Sequence, residues 1–294
     1  GSGEIMHKKL VPYILLVPQI ILTVLFLIGL VTGITQSLGV IPAFGLTEPT
    51  LLYYKEILTR PDMLESVLFS LRIALFSALF STAAGVSLCA ILVGGRKTKG
   101  RMMRVVQLPI IVPHVVVALF VMNICSQNGL LARVAYGLGL ISDQQEFPVI
   151  IYDAHGVGIV LAYLWKEIPF IVYFVIALME QIDGRLGEAA INLGANKICT
   201  FFRITLPLCA HTILSGFLII FVFALGAYEL PFILGATIPK ALPVQAFIQY
   251  THPDLRNRPY AMALNGVIII ISVFSAGIYF ALMNRKLRKI SDKE

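Results

Sequence analysis

The stretch Leu208–Ala236, LCAHTILSGFLIIFVFALGAYELPFILGA, decides the fold class. Over these 29 residues it carries one acidic group, Glu229, and no Lys or Arg. A helix needs about 20 apolar residues to cross roughly 30 Å of hydrocarbon. The bilayer core holds no water to satisfy backbone groups, so a run of this length must be helical. Barrel strands would be shorter and would alternate. Five other runs read the same way, at 11–36, 65–94, 103–125, 156–179 and 261–283. The sequence therefore predicts an all-α integral membrane protein with six transmembrane helices in one domain spanning 1–294.

Composition agrees. Among 294 residues only 13 % are charged and 58 % belong to the hydrophobic set, and the mean hydropathy is +0.87. A soluble fold of this size could not bury so much apolar surface, and disorder would need the opposite composition. The net charge of +7 raises the question of a nucleic-acid partner, but its distribution answers otherwise. Two basic residues lie at 8–9, five at 96–104, three at 185–203 and five at 285–293, against six on the alternate loops. By the positive-inside rule both termini are cytoplasmic, and nothing supports nucleic-acid binding. Residues 1–5 resemble a cloning remnant ahead of Met6, and the first run is too long for a cleaved signal peptide. Cys89, Cys125, Cys199 and Cys209 are widely spaced and suggest neither disulfides nor zinc.

Between the fourth and fifth runs lies a segment, 183–207, whose residues read as more than a connector. Glu188, Ala189 and Ala190 favour helix, and Gly194 stands where a short helix would end. The result is a helical knob with small side chains, able to enter a groove on another protein. An amphipathic connector on the membrane surface fits the same chemistry equally well. Pro207 sits at the first turn of the next span, where its missing N–H is harmless.

The spacing EAA, three residues, Gly194, nine residues, Ile204, one residue, Leu206-Pro207 resembles the signature loop of permease subunits of ATP-binding-cassette importers. Looser resemblances are Phe69-Ser70-Leu71, Leu108–Pro113, and Trp165 with Pro169-Phe170. Gly226–Pro231 with Gly235 is similar to the branch that moves polyamines, phosphonates and ferric ion. The resemblance implies a coupling helix seated in a cleft of an ATPase subunit. Glu188 would pair with a basic residue of that subunit, Ala189 and Ala190 would allow close approach, and Gly194 would turn the chain. Ile204, Leu206 and Pro207 complete the motif. It also implies partners: two ATPase copies, a second and distinct permease, an extracytoplasmic binding protein and membrane lipid. The location would be a bacterial inner membrane. No GxxxxGK[ST] sequence occurs, so this chain is expected to bind no cofactor, with ATP and magnesium on the partner, and to be no enzyme. HExxH, GxSxG and paired-aspartate motifs are also absent, as is the internal repeat that a secondary transporter would show.

Ionisable groups within spans are costly, about 2.5–3.5 kcal/mol each on insertion scales, and so mark candidate sites. Glu167 lies near the middle of the fourth run beside Lys166. Neighbours on a helix point about 100° apart, so one is expected to face the pathway and the other a helix contact. Pro169 is expected to kink this helix. Glu229 either meets a cationic substrate or pairs with Arg72 of the second run. His114 reads as a packing residue, without the neighbours a metal site needs. The Lys166–Glu167 pair also reads as structural interhelical salt bridges; in the functional reading, Glu167 and Glu229, with Trp165 and Tyr228 from the motifs above, form the candidate substrate pathway. They tilt the expected cargo toward a small cation such as a polyamine, with phosphonate, ferric ion and thiamine-like solutes as alternatives.

Overall fold

The computed structural model describes the backbone of residues 2–291 and the side chains of Tyr13 and of 15–283. Residue 1 of the expected cloning remnant, and the side chains of the rest of it and of the terminal basic residues at 8–9 and 285–293, lie outside the described residues. In chain order the helices are α1 (Ser2–Ser37), α2 (Leu52–Thr59), α3 (Pro61–Gly94), α4 (Arg101–Ile111), α5 (His114–Cys125), α6 (Leu130–Gly137) and α7 (Val157–Ile182). There follow α8 (Glu188–Asn192), α9 (Lys197–Thr200), α10 (Leu206–Gly226), α11 (Glu229–Leu234), α12 (Leu242–Tyr250) and α13 (Arg258–Ser291). Among the described residues the only extended pairing is the isolated bridge between Ile41 and Leu46. Six helical stretches are long and apolar enough to cross a membrane: Leu15–Ser37, Pro61–Gly94, His114–Gly137, Val157–Asn192, Lys197–Gly226 and Leu255–Met283.

Prolines redraw two of the runs. The third is broken at Val112-Pro113, with Val112 in an extended conformation at φ −74°, ψ 129°. Pro113 has no N–H to continue the helix and pushes the residue before it out of the helical region. The run read as one span at 103–125 is thus two helices, α4 and α5. The fifth run ends at Gly226 and not at 236, because the Pro231 ring would clash with the carbonyl of Ala227, four residues back. Ala227 accordingly adopts ψ 133°, and α11 starts afresh at Glu229. Pro169, where a kink was expected, lies inside the unbroken α7.

The chain forms two compact units. The first comprises the residues up to Thr59 and Ala246–Val267. Here Tyr54 donates to Ser37 Oγ at 2.8 Å, Tyr53 packs edge-on against Tyr260, and the Arg258 guanidinium lies over Tyr250. Nearly all the described apolar side chains of α1, from Tyr13 to Ile34, are exposed, as suits a helix immersed in hydrocarbon.

The second unit comprises Arg60–Gln245 and the chain from Ile268 onward. Its core is α3, α7 and α10 packed together. Helix α3 opens with Pro61 at its first position and Asp62 in the first turn, both favourable at a helix start. It buries Ser66, Ser70, Ala74, Ser77, Ala78, Ser81, Gly85 and Cys89, a stripe of small residues at helical spacing. Lipid gives no hydrophobic drive between helices, so close backbone approach through such residues supplies the packing. A Cβ on Gly85 would stand 2.6 Å from Ile171 Cβ, and one on Gly216 of α10 would stand 2.9 Å from Ile171 Cδ1. Ile171 is fully buried where the three helices meet.

Candidate functional site

One turn from the Gly85–Ile171 contact, in the same register, Ser81 of α3 donates to Glu167 Oε2 of α7 at 2.9 Å. Glu167 is only 5 % exposed, and its Oε1 has no hydrogen-bond partner among the described residues. The hydroxyl of Tyr163, one turn earlier and fully buried, has none either. Both residues line a cavity of about 240 Å³ whose other polar residues are Lys166 and His114 and whose walls include Phe170 and Phe223. A buried polar atom left unpaired costs about 1–3 kcal/mol. Two of them in one small cavity make it the candidate binding site.

Lys166 is committed elsewhere. Its ammonium donates to the carbonyl of Ile110 at 3.2 Å and to that of Val112. In an unbroken helix the Ile110 carbonyl would accept from the amide of residue 114. The Pro113 break removes that donor, and Lys166 takes its place. A cation is also favoured at the C-terminal end of α4 by the helix dipole. Lys166 and Glu167 therefore line the same cavity, contrary to the expectation that adjacent helix residues would part. The four-carbon lysine stem carries its charge around the helix in a way a carboxylate cannot.

The remaining candidates divide. His114 Nδ1 lies 3.5 Å from Glu229 Oε2, and its ring packs against Phe223. Glu229, 57 % exposed in its side chain, thus reaches the cavity only through His114. The alternative Arg72–Glu229 pair does not form: Arg72 donates to the carbonyl of Ala154 at 2.6 Å and approaches His155. Tyr228 stacks on Phe232, its ring centroid 4.9 Å away. Trp165 is half exposed; two positions before Glu167, it points about 200° around α7 and away from the cavity. Tyr163 and Ser81 were not singled out in the sequence. No group of three or more His, Cys, Asp or Glu is placed to hold a metal among the described residues.

The 183–207 segment has a different build. Helix α7 passes through a π-helical turn, Asp183–Gly187, into α8, and α9 passes through a second π turn, Phe201–Thr205, into α10. Only 193–196 is not helical. Gly194, at φ +96°, ends α8 in a Schellman motif. Its amide donates to the Ile191 carbonyl at 2.9 Å and that of Ala195 to the Ala190 carbonyl at 3.0 Å. Asn196 caps α9 by accepting from the Cys199 amide at 2.6 Å. Ala189 lies exposed on α8 beside Glu188 and Ala190. Glu188 Oε1 pairs with Arg96 at 3.1 Å, with both side chains largely exposed, so the carboxylate expected to face another subunit has a partner within its own chain. Such exposed pairs contribute at most about 1 kcal/mol and exchange readily. Ile204 and Leu206 flank the buried Thr205 at the entry to α10, and Pro207 occupies its first turn. A mixed-charge cleft of about 480 Å³ lies beside the segment, where Thr98 donates to Glu180 at 2.7 Å.

Residues 77–289 match the family model of the binding-protein-dependent transport system inner membrane component. The chain belongs to that family. It is an ABC importer permease subunit, an inner-membrane component of a binding-protein-dependent transport system. The permease is 28 % identical over 163 residues to the spermidine/putrescine permease PotB of Haemophilus influenzae, covering 54 % of each chain. It is 30 % identical over 209 residues to the molybdenum permease ModB of Escherichia coli K12, covering 70 % of this chain and 80 % of that one. The permease spans only about half the length of the polyamine relatives it matches. In fold it resembles a chain of the bacterial alginate ABC transporter solved with an alginate pentasaccharide-bound periplasmic protein, with a TM-score of 0.78 at 18 % identity and 96 % coverage of both chains.

Proposed function

We propose that this permease, paired with a second and distinct permease, forms the pathway for a small cationic solute of the polyamine kind. An extracytoplasmic binding protein would deliver the solute, and a separate ATPase would drive transport. Relatives carry polyamine, molybdenum and sulfate in their names, so the choice of a cation rests on this chain's own cavity. Its positive group, Lys166, already donates to two carbonyls. Its negative group, Glu167, keeps an oxygen without a partner. An oxyanion would find its counter-charge taken and an uncompensated carboxylate beside it. An ammonium group would find an acceptor.

The segment 183–207 acts as the coupling element in this reading, with both chain termini on its side of the membrane, the cytoplasmic side. Small side chains at Ala189 and Ala190 let α8 enter an ATPase cleft, the Schellman turn at Gly194 fixes its end, and Glu188 exchanges Arg96 for a basic residue of the ATPase. ATP and magnesium are held by that subunit. Because α8 and α9 continue into the spanning helices through π turns, a push on the segment passes directly into α7 and α10. The test is uptake by the assembled importer in proteoliposomes with ATP inside. Labelled spermidine accumulates and labelled molybdate does not. Molybdate accumulation without spermidine accumulation refutes the cationic cargo.

A further inference from the structure

We propose that the break between α4 and α5 forms, with Glu167 and Tyr163, a binding site for a primary ammonium group. Lys166 fills this site in the cargo-free protein and yields it to the cargo. The inference rests on the cationic-cargo reading above and adds how the pathway is held closed to cations until one arrives.

The Ile110 and Val112 carbonyls lie two residues apart at the end of α4. There Pro113 withholds an amide and holds Val112 extended, so both oxygens accept the same ammonium. A primary ammonium has three donors in a compact head. Lys166 spends two of them on these carbonyls. The third acceptor position is supplied by the cavity itself, where Glu167 Oε1 and the Tyr163 hydroxyl are buried, unpartnered, and line the same 240 Å³ as Lys166. The cavity thus presents more acceptor capacity than the tethered lysine uses. In this proposal an alkylammonium not tethered to α7 takes the carbonyls and adds the Glu167 oxygen as its third acceptor, whereas Lys166 is anchored at the residue next to Glu167. Release of Lys166 leaves its ammonium on a flexible, half-exposed side chain, so it can withdraw as the cargo enters. The site is selective by geometry: it takes an R–NH3⁺ head through N–H donors that a quaternary ammonium lacks, leaving the latter only the weaker contact with the carboxylate and the Phe170 and Phe223 rings.

The purified complex of this permease with its partner subunits tests the idea by equilibrium binding, with n-butylammonium as an untethered copy of the lysine head and tetramethylammonium as the control. Lys166→Ala is expected to bind butylammonium at least about tenfold more tightly than the wild type, the scale of a charge-assisted hydrogen bond. It should bind tetramethylammonium far more weakly than butylammonium, and adding Glu167→Gln should reverse the gain. Equal butylammonium affinity in wild type and Lys166→Ala, or equal binding of both ions, overturns the proposal. Lys166→Met keeps the apolar stem and serves the same comparison if the alanine variant does not assemble. Butylammonium binding tests the site alone. Failure of spermidine uptake with success of molybdate uptake would instead remove the cargo reading.

Discussion

The cavity around Glu167 and the segment 183–207 belong to the same helices, α7 and α10, yet they are built on opposite principles. In the cavity the polar groups are placed by packing: Ser81 fixes one carboxylate oxygen, the α4 break fixes Lys166, and Glu167 Oε1 and the Tyr163 hydroxyl are buried without a hydrogen-bond partner among the described residues. In the segment the charges are exposed and exchangeable, as in the Glu188–Arg96 pair, and what is fixed is backbone shape: two π turns, a Schellman turn and an Asn cap. A site that must choose a solute gains from rigid, desolvated groups, since there a lost hydrogen bond carries its full weight. A surface that must bind and release a large partner gains from a defined outline with weak charges.

Substitutions can separate the two. The largest effect is expected from Gly85→Val. A side chain there would meet Ile171 at 2.6 Å and force α3 from α7, with an overpacking cost of about 1–3 kcal/mol or more. Thermal melting in detergent should show a loss of several degrees or no folded protein. Glu167→Gln is expected to leave melting nearly unchanged while lowering cation uptake about tenfold or more, the scale of a hydrogen bond to a charged group. Uptake at the wild-type level would show that the cavity does not touch the cargo. Gly194→Ala places a side chain at φ +96°, a strain of about 1–2 kcal/mol. It should weaken coupling, measured as ATP hydrolysed per solute moved, by a few fold while sparing cargo binding. Arg96→Ala should be the mildest, within about 1 kcal/mol of wild type in stability and close to it in transport. A large loss there would mean that the intrachain pair itself is needed.

The two regions also differ in how far the sequence discloses them. Membrane class and six long apolar helices are visible in hydropathy alone, because burial in lipid acts on every residue of a run. Segment 183–207 is contiguous, so its EAA spacing, helix end and Gly194 turn can be read locally. The cavity draws on Ser81, Ile110 to His114, Tyr163 to Glu167 and Phe223, and no local pattern joins them. Pro113 marks the break in the third run, while Pro109 lies inside α4; a hydropathy run passes over a helix break that changes no apolar content. For the same reason Lys166 was weighed only against its neighbour Glu167, when its partners lie more than fifty residues earlier on α4.

The most direct measurement is made on one proteoliposome preparation of the assembled importer, reading ATP hydrolysis and spermidine uptake together for Glu188→Lys and Glu167→Gln. With the segment as the coupling element and the cavity as the cation site, Glu188→Lys loses both binding-protein-stimulated hydrolysis and uptake. Glu167→Gln keeps the hydrolysis and loses the uptake. If Glu188→Lys retains both activities, or if the two variants lose them in the same proportion, the division of labour between the two regions is wrong.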